Sequence, residues 1–146
     1  MSDDHMLYRI AGSFGRQSAM TTIGAKLTHV EPGRVVIELP HGDHVLQQNS
    51  FVHGGVIGMI ADSACGYAAL TVQTEDRTIV TSEYKINLLS PAVGERFVAE
   101  GRVVRAGRQL AVVQGDVFAI NGAQRKHIAI MLATMTIIPK TGDMVD

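Results

Sequence analysis

Residues 53–64, "HGGVIGMIADSA", decide how this chain is read. The stretch is small and apolar almost throughout, yet one carboxylate, Asp62, stands inside it. Continued to residue 71, its Ala, Met and Ile content favours a buried helix over a strand. On that helix Val56, Met59, Ile60, Ser63 and Tyr67 share one face, and Ala61, Ala64 and Ala68 share another. Gly54-Gly55 opens the helix and "TEDRT" closes it as a turn. The apolar run from Val52 to Val72 is long enough to span a membrane. Asp62 and the glycines around it argue against insertion.

Upstream of this helix, residues 7–20 read as a short amphipathic helix weakened by Gly12 and Gly15. "AKLTHVEPGRVVIELP" reads as a hairpin, because Glu31-Pro32-Gly33-Arg34 places Pro and Gly in sequence at a turn. Residues 41–51 are polar and irregular, with room for one short helical turn. Downstream, everything reads as strand, at about 78–89, 95–105, 109–120 and 126–138. The breaks "SPAVGE", "RAGR" and "NGAQ" each carry turn chemistry, and Asn121-Gly122 is the strongest hairpin signal in the chain. Hairpin-length connections imply an antiparallel sheet. A single helix apolar on most faces must be wrapped by that sheet. The expected fold is α+β, a curved antiparallel β-sheet around one long central helix. It forms one domain over 1–146, with an N-terminal helical extension (1–24), a core (25–138) and a tail (139–146).

Composition narrows the function classes. The chain has 146 residues, 46% hydrophobic, with a net charge of −1. That balance gives no electrostatic case for nucleic acid or an anionic membrane. Charged residues make up only 18%, which suggests that another subunit covers part of the surface. The single Cys65 excludes an intrachain disulfide, and no Cys/His spacing suggests a metal site. The N-terminal residues lack a signal-peptide pattern, so a reducing, cytoplasmic location is expected.

Three segments together carry a resemblance: "HGGVIGMIADSA", "VTSEYKINLLSPAVGE" and "GRVVRAGRQLAVVQGDVFAINGAQ". In this order and spacing the chain resembles the hotdog-fold acyl-CoA thioesterases of the PaaI-like (phenylacetic acid degradation) family, over about residues 25–138. The resemblance implies dimers or tetramers with active sites shared between subunits. It implies hydrolysis of an acyl-CoA to free acid and CoA, with no metal or cofactor.

The residues supply the chemistry. A helix N-terminus presents unpaired N–H groups and partial positive charge. Gly54 and Gly55 let a thioester carbonyl approach there, so that its developing oxyanion is stabilised. Asp62 lies about 10 Å further along the helix axis from Gly55. A short carboxylate cannot reach a carbonyl bound at its own helix's start. Either Asp62 is unrelated to that end, or a second subunit completes the site. The resemblance favours the second, with Asp62 facing the other chain's glycine end as general base or nucleophile. A half-buried carboxylate there is expected to have a raised pKa.

Around these groups the resemblance adds further candidates. Gln47 stands where many family members have Asn, and Asn49 is its rival for the amide role. Thr81 aligns with a hydroxyl that positions water in some relatives, and His53 is placed for the sulfur side of the thioester. Arg105 and Arg108, with Arg125 and Lys126, are candidates for the CoA phosphates. Phe51, Met59, Tyr67 and Tyr84 are candidates for the acyl pocket, although each also reads as core. Cys65 reads as a buried, inert thiol. Two other readings compete. A hotdog dehydratase needs a His–acid pair in a different arrangement. A non-catalytic acyl-CoA-binding module would keep the CoA groove without needing Asp62.

Overall fold

The computed structural model describes residues 2–146. Helix α1 (Asp3–Arg16) and the short α2 (Ser18–Ile23) come first. They are followed by β1 (Lys26–Glu31), β2 (Arg34–Pro40) and a single 3-10 turn at Asp43–Val45. Helix α3 (Gly54–Leu70) leads into β3 (Arg77–Leu88), β4 (Arg96–Ala106), β5 (Leu110–Asn121) and β6 (Gln124–Pro139). All strands pair antiparallel in one sheet, in the order β1-β2-β4-β5-β6-β3. The sheet curves around α3, so the α+β reading with one central wrapped helix holds.

One local reading is corrected. The N-terminal region is two helices broken at Gln17, and not one helix over 7–20. Gly12 and Gly15 sit inside α1 without ending it. Its start is fixed instead by Ser2, whose hydroxyl accepts from the His5 N–H, with Asp3 and Asp4 in the first turn. The β5–β6 turn falls in "NGAQ", as expected, with Gly122-Ala123 as its two loop residues. Asn121 pairs with Gln124, and only Gly122 takes positive φ, at 54°.

Small residues bring α3 very close to the sheet. Gly101 of β4 and Gly115 of β5 face each other across the ladder, beneath Ala61, Ala64 and Cys65. A Cβ on Gly101 would collide with the helix backbone at Ala64 and come within 2.7 Å of the Cys65 nitrogen. A Cβ on Gly115 would lie 2.9 Å from the Cys65 sulfur. The alanine face of the helix is fully buried there.

An adjoining side of α3 runs along β3. Gly54, Gly58, Asp62 and Gly66 recur every four residues, which puts them on one helical face. Leu88 lies against Gly54, Tyr84 and Ile86 against Gly58, Thr81 against Asp62, and Ile79 against Gly66. A bulge between Thr81 and Glu83 makes this possible. It shifts the pleat by one residue, so that Ile79 and Thr81, then Tyr84, Ile86 and Leu88, all face the helix.

The two sheet edges differ. β1 has α1 beside it. β3 is twelve residues long, pairs only with β6, and leaves Val80, Tyr84 and Leu88 about half exposed. A long edge of this kind presents a row of unpaired backbone groups.

Candidate functional site

Helix α3 begins at His53, whose Nδ1 accepts the Gly55 N–H at 2.9 Å. The expected unpaired Gly55 amide is therefore capped by the preceding side chain. The Gly54 N–H has no partner among the described residues. The cap also fixes the His53 tautomer in this state. Nδ1 accepts, so the neutral ring carries its proton on Nε2. A Cβ on Gly54 would come 2.7 Å from Leu88 Cδ1, the end of a half-exposed side chain of β3.

Beside this helix start lies a cleft of about 370 Å³. Gln47, Phe51, Gly54, Leu88 and Pro91 are among its lining residues. Gln47 is held in place by its own loop, where its Oε1 accepts the Asn49 N–H. The structure thus brings Gln47 and Phe51 together with Gly54. Asn49 is exposed and outside the cleft, and its contribution is the amide that holds Gln47.

Asp62 opens onto a second cleft, also of about 370 Å³. Ser63, Gly66, Tyr67, Ile79 and Thr81 line it with Asp62, and α1 closes its far side. The Thr81 hydroxyl donates to Asp62 Oδ1 at 2.8 Å. Burial raises the Asp62 pKa above the ordinary carboxylate value, and the Thr81 hydrogen bond opposes part of that rise. Asp62 and the glycine end share no cleft within one chain.

Other expected site residues fall elsewhere. Met59 packs against the core and lines neither cleft. Tyr84 also lines neither, and its hydroxyl lies over Gly58. Arg105 and Arg108 border a separate groove at the β4–β5 turn, beside Leu110 and Val112. Leu110 pairs with Thr136, which pairs with Val80 near the start of β3. That turn is at the end of the sheet away from Leu88 and Gly54. Arg125 is already engaged, with Glu100 at 2.6 Å and over the Phe118 ring at 3.7 Å. Arg34 and Arg102 share the same Glu100 carboxylate. Cys65 is buried, and desolvation first, then the Asp62 and Asp116 charges, pushes its thiol up to about 12. Among the described residues no cluster of His, Cys, Asp and Glu is arranged to hold a metal ion, and no helix is long and apolar enough to cross a membrane.

Two features of this site escaped the sequence reading although their signals were present. The four-residue repeat Gly54, Gly58, Asp62, Gly66 marks the groove in which Asp62 lies. Ser13 and Gln17, from the N-terminal helices, line the Asp62 cleft.

Residues 49–126, just over half of the chain, match the thioesterase superfamily. The chain belongs to that superfamily. A thioesterase family protein from Silicibacter pomeroyi has a similar crystal structure, with 37% identity and a TM-score of 0.90. The match covers 92% of this chain and 99% of that one. A Saccharolobus solfataricus protein named as an esterase is 37% identical over 92 residues, which is 63% of this chain. The aligned region is 65% of that relative, so the chain spans just under two thirds of its length. A 1,4-dihydroxy-2-naphthoyl-CoA hydrolase from Listeria monocytogenes is 26% identical over 62% of this chain and 74% of its own. Thioesterase membership accords with the site, which offers one carboxylate, one glycine-opened helix end and a polar amide.

Proposed function

We propose that this protein hydrolyses an acyl-CoA thioester to the free acid and CoA, in active sites built between two copies of the chain. The observation that carries the reading is the separation of the two half-sites. A helix end suited to polarising a carbonyl and a carboxylate suited to activating water lie in different clefts of one chain, about 10 Å apart along α3. Pairing two copies along the exposed β3 edge brings one chain's Asp62 towards the other chain's Gly54 end. A two-fold contact of this kind is self-complementary and yields two equivalent sites. The CoA hydrolase among the relatives supports a CoA thioester as the substrate class.

In this reading the carbonyl oxygen sits at the α3 N-terminus, near the free Gly54 N–H, the His53 Nε2–H and the Gln47 amide. Asp62 of the other copy removes a proton from water as the water attacks the carbonyl carbon. The tetrahedral intermediate collapses, the C–S bond breaks, and the thiolate leaves to take up a proton. Thr81 holds one Asp62 oxygen and leaves the other for the water. If Asp62 attacked directly instead, displacing the thiolate to form an acyl–Asp62 anhydride, hydrolysis of that anhydride at the Asp62 carbonyl in labelled water would place the label in the Asp62 side chain within a single turnover. With water attack, the label goes to the acid product alone.

Two inactive variants test the shared site. Asp62→Asn should lose roughly 10²- to 10⁴-fold in kcat. Gln47→Ala should be impaired at the other half-site. Unfolded and refolded together, they should recover about a quarter of wild-type activity, because half the dimers are mixed and each mixed dimer has one intact site. Activity no higher than the mean of the two variants sinks the shared site. Full activity in Asp62→Asn sinks the role of Asp62.

A further inference from the structure

Among the described residues Ser50 alone has positive φ without being a glycine, at 65°. In that region the Cβ of an L-residue crowds a backbone carbonyl, so side chains rarely adopt it. An outlier of this kind persists only where the surrounding structure holds it. Ser50 lies three residues before His53, the residue that caps α3.

The loop around Ser50 is pinned at its base. Leu46 and Val52 form an antiparallel bridge. The Val52 N–H donates to the Ala92 carbonyl at 3.1 Å, and the His53 N–H donates to the Val45 carbonyl at 2.9 Å. Between these anchors the Gln47 N–H donates to the Phe51 carbonyl at 2.8 Å, and the Ser50 N–H donates to the Gln47 carbonyl at 3.0 Å. Gln48, Asn49 and Ser50 therefore form a three-residue hairpin loop. Such a loop closes through a left-handed third residue, a position that suits glycine.

This closure decides how Gln47 is aimed. With the loop closed, the Asn49 N–H donates to Gln47 Oε1. A backbone N–H needs the oxygen end of the side-chain amide as its acceptor. Oε1 is thereby committed to the loop, and the Nε2 hydrogens are left for the cleft that Gln47 lines with Gly54. Ser50 itself is outside that cleft. We propose that Ser50 is a positioning residue, whose left-handed backbone closes the loop that turns the Gln47 amide donors towards the carbonyl site beside Gly54. The proposal rests on the thioesterase reading above, and Ser50 acts in it only through Gln47.

A double-mutant cycle between Ser50 and Gln47 tests the coupling. Thiol release from acyl-CoAs between acetyl and palmitoyl, with phenylacetyl-CoA, identifies a good substrate, on which kcat and KM are then measured. Ser50→Val puts a β-branched residue at positive φ and should open the loop. Its kcat should fall roughly 10- to 100-fold, towards that of Gln47→Ala, with a much smaller change in KM. Ser50→Gly, the conservative variant for the backbone, should turn over like wild type. Ser50→Val combined with Gln47→Ala should be no slower than Gln47→Ala alone, because the amide to be aimed is already gone. If Ser50→Val fails to fold by circular dichroism, Ser50→Thr takes its place in the cycle. Losses that multiply in the double variant overturn the proposal, as does Ser50→Gly falling as far as Ser50→Val. Wild-type kcat in Ser50→Val or in Gln47→Ala overturns it too. In each of these cases hydrolysis that Asp62→Asn abolishes leaves the thioesterase reading standing. Wild-type protein inert on the whole series overturns both.

Discussion

The Thr81 hydroxyl donates to Asp62 Oδ1 across the groove between β3 and α3, at 2.8 Å. Burial raises the Asp62 pKa and this bond lowers it, so Thr81 moderates the effect of burial. Thr81→Val keeps the shape and removes the donor. The acid limb of the kcat/KM profile should then move to higher pH than in wild type. Thr81→Ser should keep the wild-type limb. A limb that stays in place in Thr81→Val would show that the bond does not tune the base.

The raised Asp62 pKa has a consequence for stability. Its folded form binds the proton more tightly than the unfolded chain does. The stability linked to that proton is fully present below the ordinary value of 3.8 and is lost as pH rises through the higher folded value. At neutral pH the ionised, half-buried carboxylate therefore weakens the fold. Asp62→Asn should melt at a higher temperature than wild type at pH 7. The gap should close as pH falls towards the ordinary carboxylate value, which thermal melts across pH will read out.

Gly101 is where the helix backbone meets the sheet. Gly101→Ala must push α3 away from β4, at a cost of about 1–3 kcal/mol for overpacking. Urea denaturation should show a lower midpoint with an unchanged slope. Gly122→Ala meets no neighbour but takes on a positive φ, and should cost less.

Cys65 is buried with its thiol pushed up to about 12. A thiol reagent at pH 8 should leave it unmodified in the native protein and titrate one thiol per chain in denaturant. Rapid native labelling would show that the α3–sheet contact opens. Slow labelling also means that CoA release can be followed with the same reagent without background from the protein.

The segment "HGGVIGMIADSA" by itself determined the central helix and the split between Gly54 and Asp62, and the hairpin-length connections downstream determined the antiparallel sheet around it. Helical rise is fixed by backbone geometry, so that separation needs no coordinates. Hairpin turns likewise act over two or three residues, which is why the last four strands were legible to within two residues. Only the tertiary structure decided the rest. The His53 cap on Gly55, the Thr81 bond to Asp62, and the placement of Gln47 in the cleft with Asn49 outside it each depend on where a side chain turns once its neighbours are packed. The bulge that keeps both halves of β3 facing α3 is a register event between strands more than forty residues apart. The Ser13–Tyr67 hydrogen bond joins residues 54 positions apart, through a contact that exists only when α1 packs against the wrapped helix.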